Sequence, residues 1–217
     1  MSERPPALDF VSAHLPPPPA RALDVGCGEG ALTRELGARG YDARGIDPHA
    51  PEGALFERIA IEDLYVERRY DVAIAVVSLH HVADLTVAVE RLGDAIVSGG
   101  LLLVDEFDRE RLDPPTTAWL WRQRQALAAV GAGAWAEHEH GNAHDHHARL
   151  LDNLAEIDTW ATVRAALEAR FEERSAERVE YLYRYETHLA LQPLERAMIE
   201  LGAISPTGVR YVGRAHE

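Results

Sequence analysis

The sequence predicts an α/β fold with a doubly wound, mostly parallel sheet. Strand-like and helix-like segments alternate through residues 20–106, and a glycine-rich turn joins the first strand to the helix after it. In the segment 71–77 the residues after Asp71 form an unbroken apolar run, which is typical of a strand buried on both faces of such a sheet. With 217 residues, 47% of them hydrophobic, the chain can bury a full core as one domain or as one domain with an insertion.

The first half of the chain contains five of the predicted strands. A short helix over residues 7–14 precedes the proline run at 16–19, which cannot continue a helix. A second helix follows the first strand and ends near Gly40, and a helix over 84–97 is capped by Asp84 and leads through a turn at Gly99 and Gly100 into the fifth strand. The five strands are predicted in order at residues 22–25, 42–46, 58–61, 71–77 and 101–106.

The second half predicts an inserted helical segment and then a return to the sheet. After the fifth strand the pattern changes to a Trp-containing helix at 117–130 and a stretch rich in Gly, Ala and His. We expect a single domain over residues 1–217, in which about 107–158 is an insertion that caps the substrate. The tail predicts a helix at 159–169, a strand region at 171–185, a helix at 194–201 and a seventh strand at 208–214.

Composition narrows the classes of partner. The formal net charge is −14, and a nucleic-acid binder usually needs a clustered basic face, so we expect a small-molecule substrate and no nucleic acid. The single cysteine, Cys27, excludes an internal disulfide, and no apolar run has the length of a membrane span or of a secretory signal core. These features predict a cytoplasmic protein without a membrane partner, and they leave open whether it forms a homodimer.

The glycine-rich turn predicts a nucleotide site but fits two classes of cofactor. Gly26, Gly28 and Ala31 satisfy the dinucleotide pattern G-x-G-x-x-G/A, and Gly26, Gly28 and Gly30 satisfy G-x-G-x-G. Asp47 follows about 20 residues later, where a ribose-binding acid belongs in either case. Asp24 lies inside the strand end, where a purely apolar dinucleotide-binding strand needs no acid, and this favours a ligand with a polar amino-acid tail.

Five motifs in this order resemble those of the class I S-adenosylmethionine-dependent methyltransferases. The matching strings are residues 23–30 (LDVGCGEG), 45–47 (GID), 61–64 (IEDL), 70–82 (YDVAIAVVSLHHV) and the Gly-Gly turn into 101–106. The likeness is greatest to the small-molecule branch, which includes quinone-biosynthesis and secondary-metabolite enzymes. It implies a Rossmann-like seven-stranded sheet whose last strand is antiparallel, with S-adenosylmethionine as the cofactor.

The resemblance also assigns the residues that contact the cofactor. The first motif wraps the methionine portion, Asp47 holds the ribose hydroxyls, the 61–63 segment lies against the adenine, and the end of the fourth strand lines the methyl-transfer pocket. Asp24 could instead accept N–H groups in its own turn, and Glu62 could cap a short helix. The expected cofactor residues are Asp24, Gly26, Cys27, Gly28, Gly30, Asp47, Pro48, Ile61, Glu62, Asp63 and Val77.

Histidines supply the candidates for acid–base chemistry. His80 and His81 follow the fourth strand at the end where α/β sheets bind ligands, so we assign His80 as a catalytic base and His81 as a substrate contact. The alternative for His80 is an imidazole that caps a loop or packs under the cofactor. His146 in the insertion is a further candidate substrate contact or base, and Trp119 either walls the substrate or packs the inserted helix.

The stretch 137–147 contains five histidines and three acids, but its spacing matches no helical metal signature. We therefore expect no metal. The function predicted from the sequence is methyl transfer from S-adenosylmethionine to a small organic acceptor, with the oxygen, nitrogen or carbon nature of the accepting atom left open. The alternatives are a non-catalytic protein that binds S-adenosylmethionine and, with less support, an NAD-dependent oxidoreductase.

Overall fold

The computed structural model describes residues 7–132, 142–185 and 188–217. Within these residues the strands are β1 (Arg21–Val25), β2 (Asp42–Ile46), β3 (Phe56–Glu57), β4 (Tyr70–Val76), β5 (Ile96–Phe107), β6 (Phe171–Val179) and β7 (Gly208–Ala215). The α-helices are α1 (Leu8–His14), α2 (Ala31–Ala38), α3 (Leu85–Ala95), α4 (Pro114–Ala129), α5 (Ala143–Asn153), α6 (Trp160–Leu167) and α7 (Gln192–Glu200).

One seven-stranded sheet has the order β3-β2-β1-β4-β5-β7-β6. The pairs β1 with β2, β1 with β4, β2 with β3 and β4 with β5 are parallel, whereas β7 runs antiparallel to β5. This confirms the predicted Rossmann-like fold with an antiparallel last strand. The chain moves outward from β1 to β3 and then returns to place β4 on the other side of β1. Ligands of open α/β sheets bind at such a switch point, beyond the carboxyl ends of the strands.

The burial of the central strands explains why their apolar segments form strands. Ala22 and Leu23 of β1 and the run from Val72 to Ala75 in β4 are completely buried, as expected for central strands covered on both faces. Helices α1 and α2 contribute Leu8, Val11 and Leu36 to this core. The central strands are therefore a rigid support for the turns that follow them.

Two local predictions in this half are wrong. The third strand is a two-residue pair at Phe56–Glu57 rather than residues 58–61, which lead instead into a single 3₁₀ turn at Ile61–Asp63. Gly99 and Gly100 do not form a turn before the fifth strand, because β5 already begins at Ile96. They lie in a bulge: Tyr70 pairs with Ile96 and Val72 pairs with Leu101, so three extra residues of β5 are accommodated there. The positive φ of Gly99, +72°, explains why the bulge needs glycine.

The chain divides into two compact units. The first contains the described residues up to Glu106 together with Trp160–Glu177 and Arg210–Glu217, and the second contains Phe107–Thr159 and Arg178–Val209. The second unit begins at the residue predicted for the insertion, but it also includes part of the tail, which the sequence did not suggest. The interpretation as a single domain with a substrate-capping insertion at about 107–158 stays a prediction.

Two carboxylates, the half-buried Asp113 and the buried Glu195, connect segments of the second unit. Asp113 precedes α4, where its Oδ1 accepts the Thr116 N–H at 2.9 Å and its Oδ2 accepts the Ser205 hydroxyl at 2.7 Å. Glu195 of α7 is completely buried and accepts the backbone N–H groups of residues 181, 182 and 183 at 2.8, 2.9 and 2.7 Å. Both side chains join segments that are separate in sequence.

Among the described residues, no helix is both long enough and apolar enough to cross a membrane.

Candidate functional site

The turn after β1 comes into close contact with the turn after β4. Gly26 has φ +69°, and its N–H and that of Cys27 donate to the Ile46 carbonyl at 2.8 and 3.0 Å. A Cβ at Gly26 would lie only 2.4 Å from the Cβ of Ser78. Glycine is therefore required here both by the backbone conformation and by the closeness of the neighbouring turn.

The next two glycines of the motif continue this turn into α2. Gly28 has φ +49° and open space where a Cβ would stand, and its N–H donates to Oδ2 of Asp47 at 3.1 Å. Gly30 has φ +75° immediately before α2, and a Cβ there would overlap the ring of Phe56. The structure thus brings the glycine motif and the predicted ribose-binding acid together.

Asp47 follows β2 and is half-buried. Its Oδ1 accepts the His49 N–H at 2.7 Å, and its Oδ2 accepts the Gly28 N–H. Each carboxylate oxygen can accept more than one hydrogen bond, so both keep the capacity to accept one from a ligand. The two backbone donors hold the carboxylate in one orientation.

A cavity of about 450 Å³ lies beyond the carboxyl ends of β1, β2 and β4. Seven of the residues predicted from the sequence line it, namely Gly26, Asp47, Pro48, Ile61, Glu62, Val77 and His81. Four further lining residues, Val25, Ile46, Ser78 and Val82, lie within the motif strings but were not named individually. The lining residues outside those strings are His49, Ile59, Ala60 and Ala83. Its volume is in the range usual for small-molecule sites.

Glu62 closes one side of this cavity. Its Oε1 accepts the N–H groups of Ala83 and Asp84 at 2.8 and 3.2 Å, so the carboxylate connects the 3₁₀ turn of residues 61–63 to the residues that lead into α3. Asp84 is itself the cap of α3, since its Oδ1 accepts the Val87 N–H. Glu62 therefore has a contact that joins two segments of the cavity wall, whereas the short helix that contains it has no side-chain cap. Its role beside the adenine stays a prediction. The neighbouring Asp63 is exposed and does not line the cavity.

His80 and His81 have different surroundings. His80 is 5% exposed, is not among the cavity-lining residues, and its Nδ1 contacts Oε2 of Glu106. His81 is exposed and lines the cavity, with its ring centroid 4.0 Å from that of His80. Partial burial, and next the charge of His80, lower the pKa of His81 from its ordinary value, with Glu106 opposing the shift.

Glu106, at the end of β5, is a site residue that the sequence analysis missed. Its Oε1 accepts the N–H groups of Ser78 and Leu79 at 3.0 and 2.8 Å. The signal was present, because Asp105 and Glu106 are two adjacent acids at the end of an otherwise apolar strand. A buried acid at that edge of a parallel sheet is directed either to a ligand or to a neighbouring turn.

Asp24 and Cys27 lie behind the glycine turn rather than in the cavity lining. Asp24 is 2% exposed and accepts the Thr33 hydroxyl at 2.6 Å, and burial raises its pKa to about 6. Burial, followed by the charges of Asp24 and Asp47, raises the pKa of the Cys27 thiol to about 12, which leaves no reactive thiolate at neutral pH. Cys27 fills space beside Gly45, where a Cβ would lie 2.9 Å from its Sγ, and its role in holding the cofactor stays a prediction.

The remaining predicted residues belong to the second unit. Trp119 of α4 and His146 of α5 are both buried there, so their roles as substrate contacts stay predictions. Of the histidine-rich stretch, the part up to residue 141 lies outside the described residues, and its last residues belong to α5, Ala143–Asn153. Within the described ranges no group of three or more His, Cys, Asp or Glu side chains is arranged to hold a metal.

Comparison with known proteins gives a family and a fold. The family described as "Methyltransferase domain" matches residues 4–200. A ubiquinone biosynthesis O-methyltransferase of Xylella fastidiosa is 33% identical over 118 residues, which are 47% of this chain and 48% of the relative. The protein of the same name from Azorhizobium caulinodans is 31% identical over 103 residues, 41% of each chain, so the chain spans about half the length of these curated relatives or less.

Two solved structures resemble the whole chain. An S-adenosylmethionine-dependent methyltransferase from Mesorhizobium loti has a TM-score of 0.60 and 19% identity, and the match covers 96% of this chain and 97% of that one. A Burkholderia thailandensis 1,6-didemethyltoxoflavin-N1-methyltransferase, with that compound and S-adenosylhomocysteine bound, has a TM-score of 0.57 and 17% identity over 98% of this chain and 77% of its own. At such identities the likeness shows the fold alone. Because the family match extends over nearly the whole sequence, the chain belongs to the methyltransferase-domain family, the S-adenosylmethionine-dependent methyltransferases that its motifs predicted.

Proposed function

We propose that this chain binds S-adenosylmethionine in the cavity beyond β1, β2 and β4 and transfers its methyl group to a hydroxyl oxygen of a small organic acceptor. The observation that carries the proposal is the hydrogen bond from the Gly28 N–H to Asp47, a residue that lines the cavity, because it joins the two motifs expected to hold the cofactor. The names of the curated relatives, all O-methyltransferases, favour oxygen as the accepting atom.

The residues of the cavity fit this cofactor. Gly26 leaves room for close approach to the backbone, and Asp47 offers two oriented carboxylate oxygens to a ribose diol. Ile61 supplies an apolar surface on the side assigned to the adenine, and Val77 is placed at the end of β4. When bound, S-adenosylmethionine supplies an activated methyl group, so the protein has mainly to align the acceptor and to exclude water.

His81 is the residue placed to remove the proton of a hydroxyl acceptor. It lines the cavity, and its lowered pKa keeps the imidazole neutral at pH 7, which is the form that accepts a proton. The sequence assigned this role to His80, but the burial of His80 and its contact with Glu106 favour His81. In this proposal His80 supports the ring of His81 from behind.

A binding experiment tests the cofactor assignment. Calorimetric titration of the protein with S-adenosylmethionine, S-adenosylhomocysteine and NAD is expected to give binding of the first two and none of NAD. In Asp47→Ala the affinity for S-adenosylhomocysteine should fall at least about tenfold, since two hydrogen bonds to a charged group are lost. NAD binding alone would favour the oxidoreductase, and unchanged affinity in Asp47→Ala would contradict the assignment.

An activity experiment tests the acceptor and the base. Release of S-adenosylhomocysteine is measured with panels of small phenols and catechols and, separately, of small amines; the proposal expects turnover with the hydroxyl panel. His81→Gln should lower kcat by about 100-fold or more, whereas His216→Gln serves as the control histidine outside the cavity. The rate should rise with pH through a pKa below 6.5 and then level off, because the base must be neutral. Turnover with amines alone, or an unchanged kcat in His81→Gln, would refute this assignment.

Cofactor binding without turnover on any acceptor would instead favour the non-catalytic alternative. The expected absence of a nucleic-acid partner, the cytoplasmic location and the state of association stay predictions.

A further inference from the structure

Glu106 has an unusual set of contacts for a carboxylate outside the cavity lining. It is 1% exposed, its Oε1 accepts two successive backbone N–H groups, and its Oε2 contacts the imidazole of His80. All three partners belong to the turn that follows β4. One side chain at the end of β5 therefore holds residues 78–80 together.

This turn forms a wall of the cavity, and its backbone is strained. Val77, Ser78 and His81 line the cavity, and Val77 has φ +52°, a conformation that a β-branched residue adopts only when its surroundings impose it. The N–H of Val77 donates to the Asp105 carbonyl at 2.8 Å, and the next two N–H groups along the chain donate to Glu106. The last residues of β5 therefore accept hydrogen bonds from the strained Val77 itself and from the two residues that follow it.

We propose that Glu106 is a positioning residue for the cofactor cavity: its carboxylate keeps residues 77–81 in the conformation that presents Ser78 and His81 to the ligand. The proposal rests on the proposed function in one respect, that the cavity is where S-adenosylmethionine binds. Glu106 acts through Ser78, Leu79 and His80 and does not itself line the cavity.

The proton on His80 follows from the same geometry. The backbone N–H groups require Oε1 of Glu106 to be an acceptor, and an ionised carboxylate presents a second acceptor, Oε2, to Nδ1 of His80. With Glu106 as the acceptor on both oxygens, as the proposal requires, Nδ1 of His80 carries a hydrogen and donates it. In Glu106→Gln the amide oxygen can still accept both backbone N–H groups, but the amide NH₂ then faces Nδ1 and requires it to be an acceptor.

Two variants and a matched control test the positioning role. Glu106→Ala removes all three contacts, Glu106→Gln keeps the two backbone contacts, and Asp105→Asn removes the adjacent buried carboxylate, whose partner is Arg210. Successive strand residues point to opposite faces, so the control removes a buried negative charge from the same strand end and leaves both the Glu106 side chain and the backbone bond from Val77 to the Asp105 carbonyl in place. Affinity for S-adenosylhomocysteine is measured by calorimetry well below each variant's unfolding temperature.

We expect Glu106→Ala to weaken binding about tenfold or more, because only a fraction of the molecules would then present the binding conformation. Glu106→Gln should recover most of that loss, and Asp105→Asn should bind as the wild type does even if it unfolds at a lower temperature. Wild-type affinity in Glu106→Ala would overturn the proposal. Equal weakening in Asp105→Asn would also overturn it, since the effect would then be general destabilisation.

Hydrogen exchange separates this proposal from the proposed function. The amides of Ser78 and Leu79 should exchange slowly in the wild type and at least about tenfold faster in Glu106→Ala, with or without ligand. If the wild type binds no S-adenosylhomocysteine but this difference in exchange rate is found, the proposed function is wrong and the positioning role of Glu106 stands. If the exchange rates are equal, the positioning role is wrong whichever ligand binds.

Nitrogen-15 spectra test the contact between Glu106 and His80. His80 should carry its hydrogen on Nδ1 in the wild type and on Nε2 in Glu106→Gln, and an unchanged pattern would contradict the assigned contact.

Discussion

Asp24 should make the protein more stable in mild acid than at neutral pH. Its carboxyl group is buried behind the glycine turn, and burial, opposed by the hydrogen bonds from Thr33, raises its pKa from 3.8 to about 6. A carboxyl group with a raised pKa in the folded state contributes its full stability below the unfolded value and loses it as the pH rises through the folded value. The loss therefore falls between about pH 4 and pH 7.

The size of the effect follows from the shift. A difference of about two pKa units corresponds to about 3 kcal/mol of unfolding free energy, since one unit is 1.36 kcal/mol. Asp24→Asn has a similar shape, can still accept the Thr33 hydroxyl, and does not ionise. The free energy of unfolding of the wild type minus that of the variant should therefore decrease by about 2–3 kcal/mol between pH 4 and pH 7.5, most of the full effect, because part of it already falls below pH 4.

Urea unfolding of both proteins across this pH range measures the difference, and subtraction removes the contribution of all other titrating groups. Thr33→Val provides a second check, because the hydroxyl lowers the pKa of Asp24 and its loss should move the transition to higher pH. If the unfolding free energy of the wild type minus that of Asp24→Asn is constant from pH 4 to pH 7.5, or increases with pH, the account of Asp24 as a buried, protonatable carboxyl group is refuted.

Three further predictions concern single contacts. Gly26→Ala should cost at least about 1 kcal/mol more unfolding free energy than Gly28→Ala, because both have positive φ but only the first forces a Cβ against Ser78; equal costs in thermal unfolding would contradict this. Asp113→Ala should lose about 1–2 kcal/mol in urea unfolding at pH 7 through loss of the cap of α4. Burial opposes the shift, but hydrogen bonds from Thr116 and Ser205 hold the pKa of Asp113 below its ordinary value of 3.8, so the loss should shrink only as the pH falls through that lowered pKa; a pH-independent loss would argue against an ionic cap. Glu195→Ala should destabilise by about 2–3 kcal/mol or more, because three buried N–H groups lose their acceptor, while Glu195→Gln should lose less; equal losses would show that the carboxylate contacts are not responsible.

Local sequence was sufficient where a residue's role depends on its own backbone or on its position along the chain. The glycines of the first turn, the acid that follows β2 and the cap of α3 were all predicted and are found in those places. Positive φ selects Gly26 and Gly28 directly, and period-2 or period-3.6 patterns locate the central strands and helices. The cavity wall therefore contains most of the residues that the motifs indicated.

Residues whose role depends on a partner far away in sequence were misjudged or missed. Adjacent histidines look equivalent in the sequence, yet His80 is buried against Glu106, 26 positions later, while His81 faces the cavity. The bulge at Gly99 was interpreted as a turn, because a positive φ satisfies either structure and only the pairing with β4 distinguishes them.

The sequence by itself determined the α/β fold, the order of the motifs and the family, since each depends on patterns of neighbouring residues. Only the tertiary structure decided which of the polar side chains at the strand ends face the cavity and which hold its wall. The physical reason is that burial and hydrogen bonding are properties of a pair of groups. Glu106 became recognisable as the support of the turn after β4 only when parallel pairing brought the ends of β4 and β5 side by side.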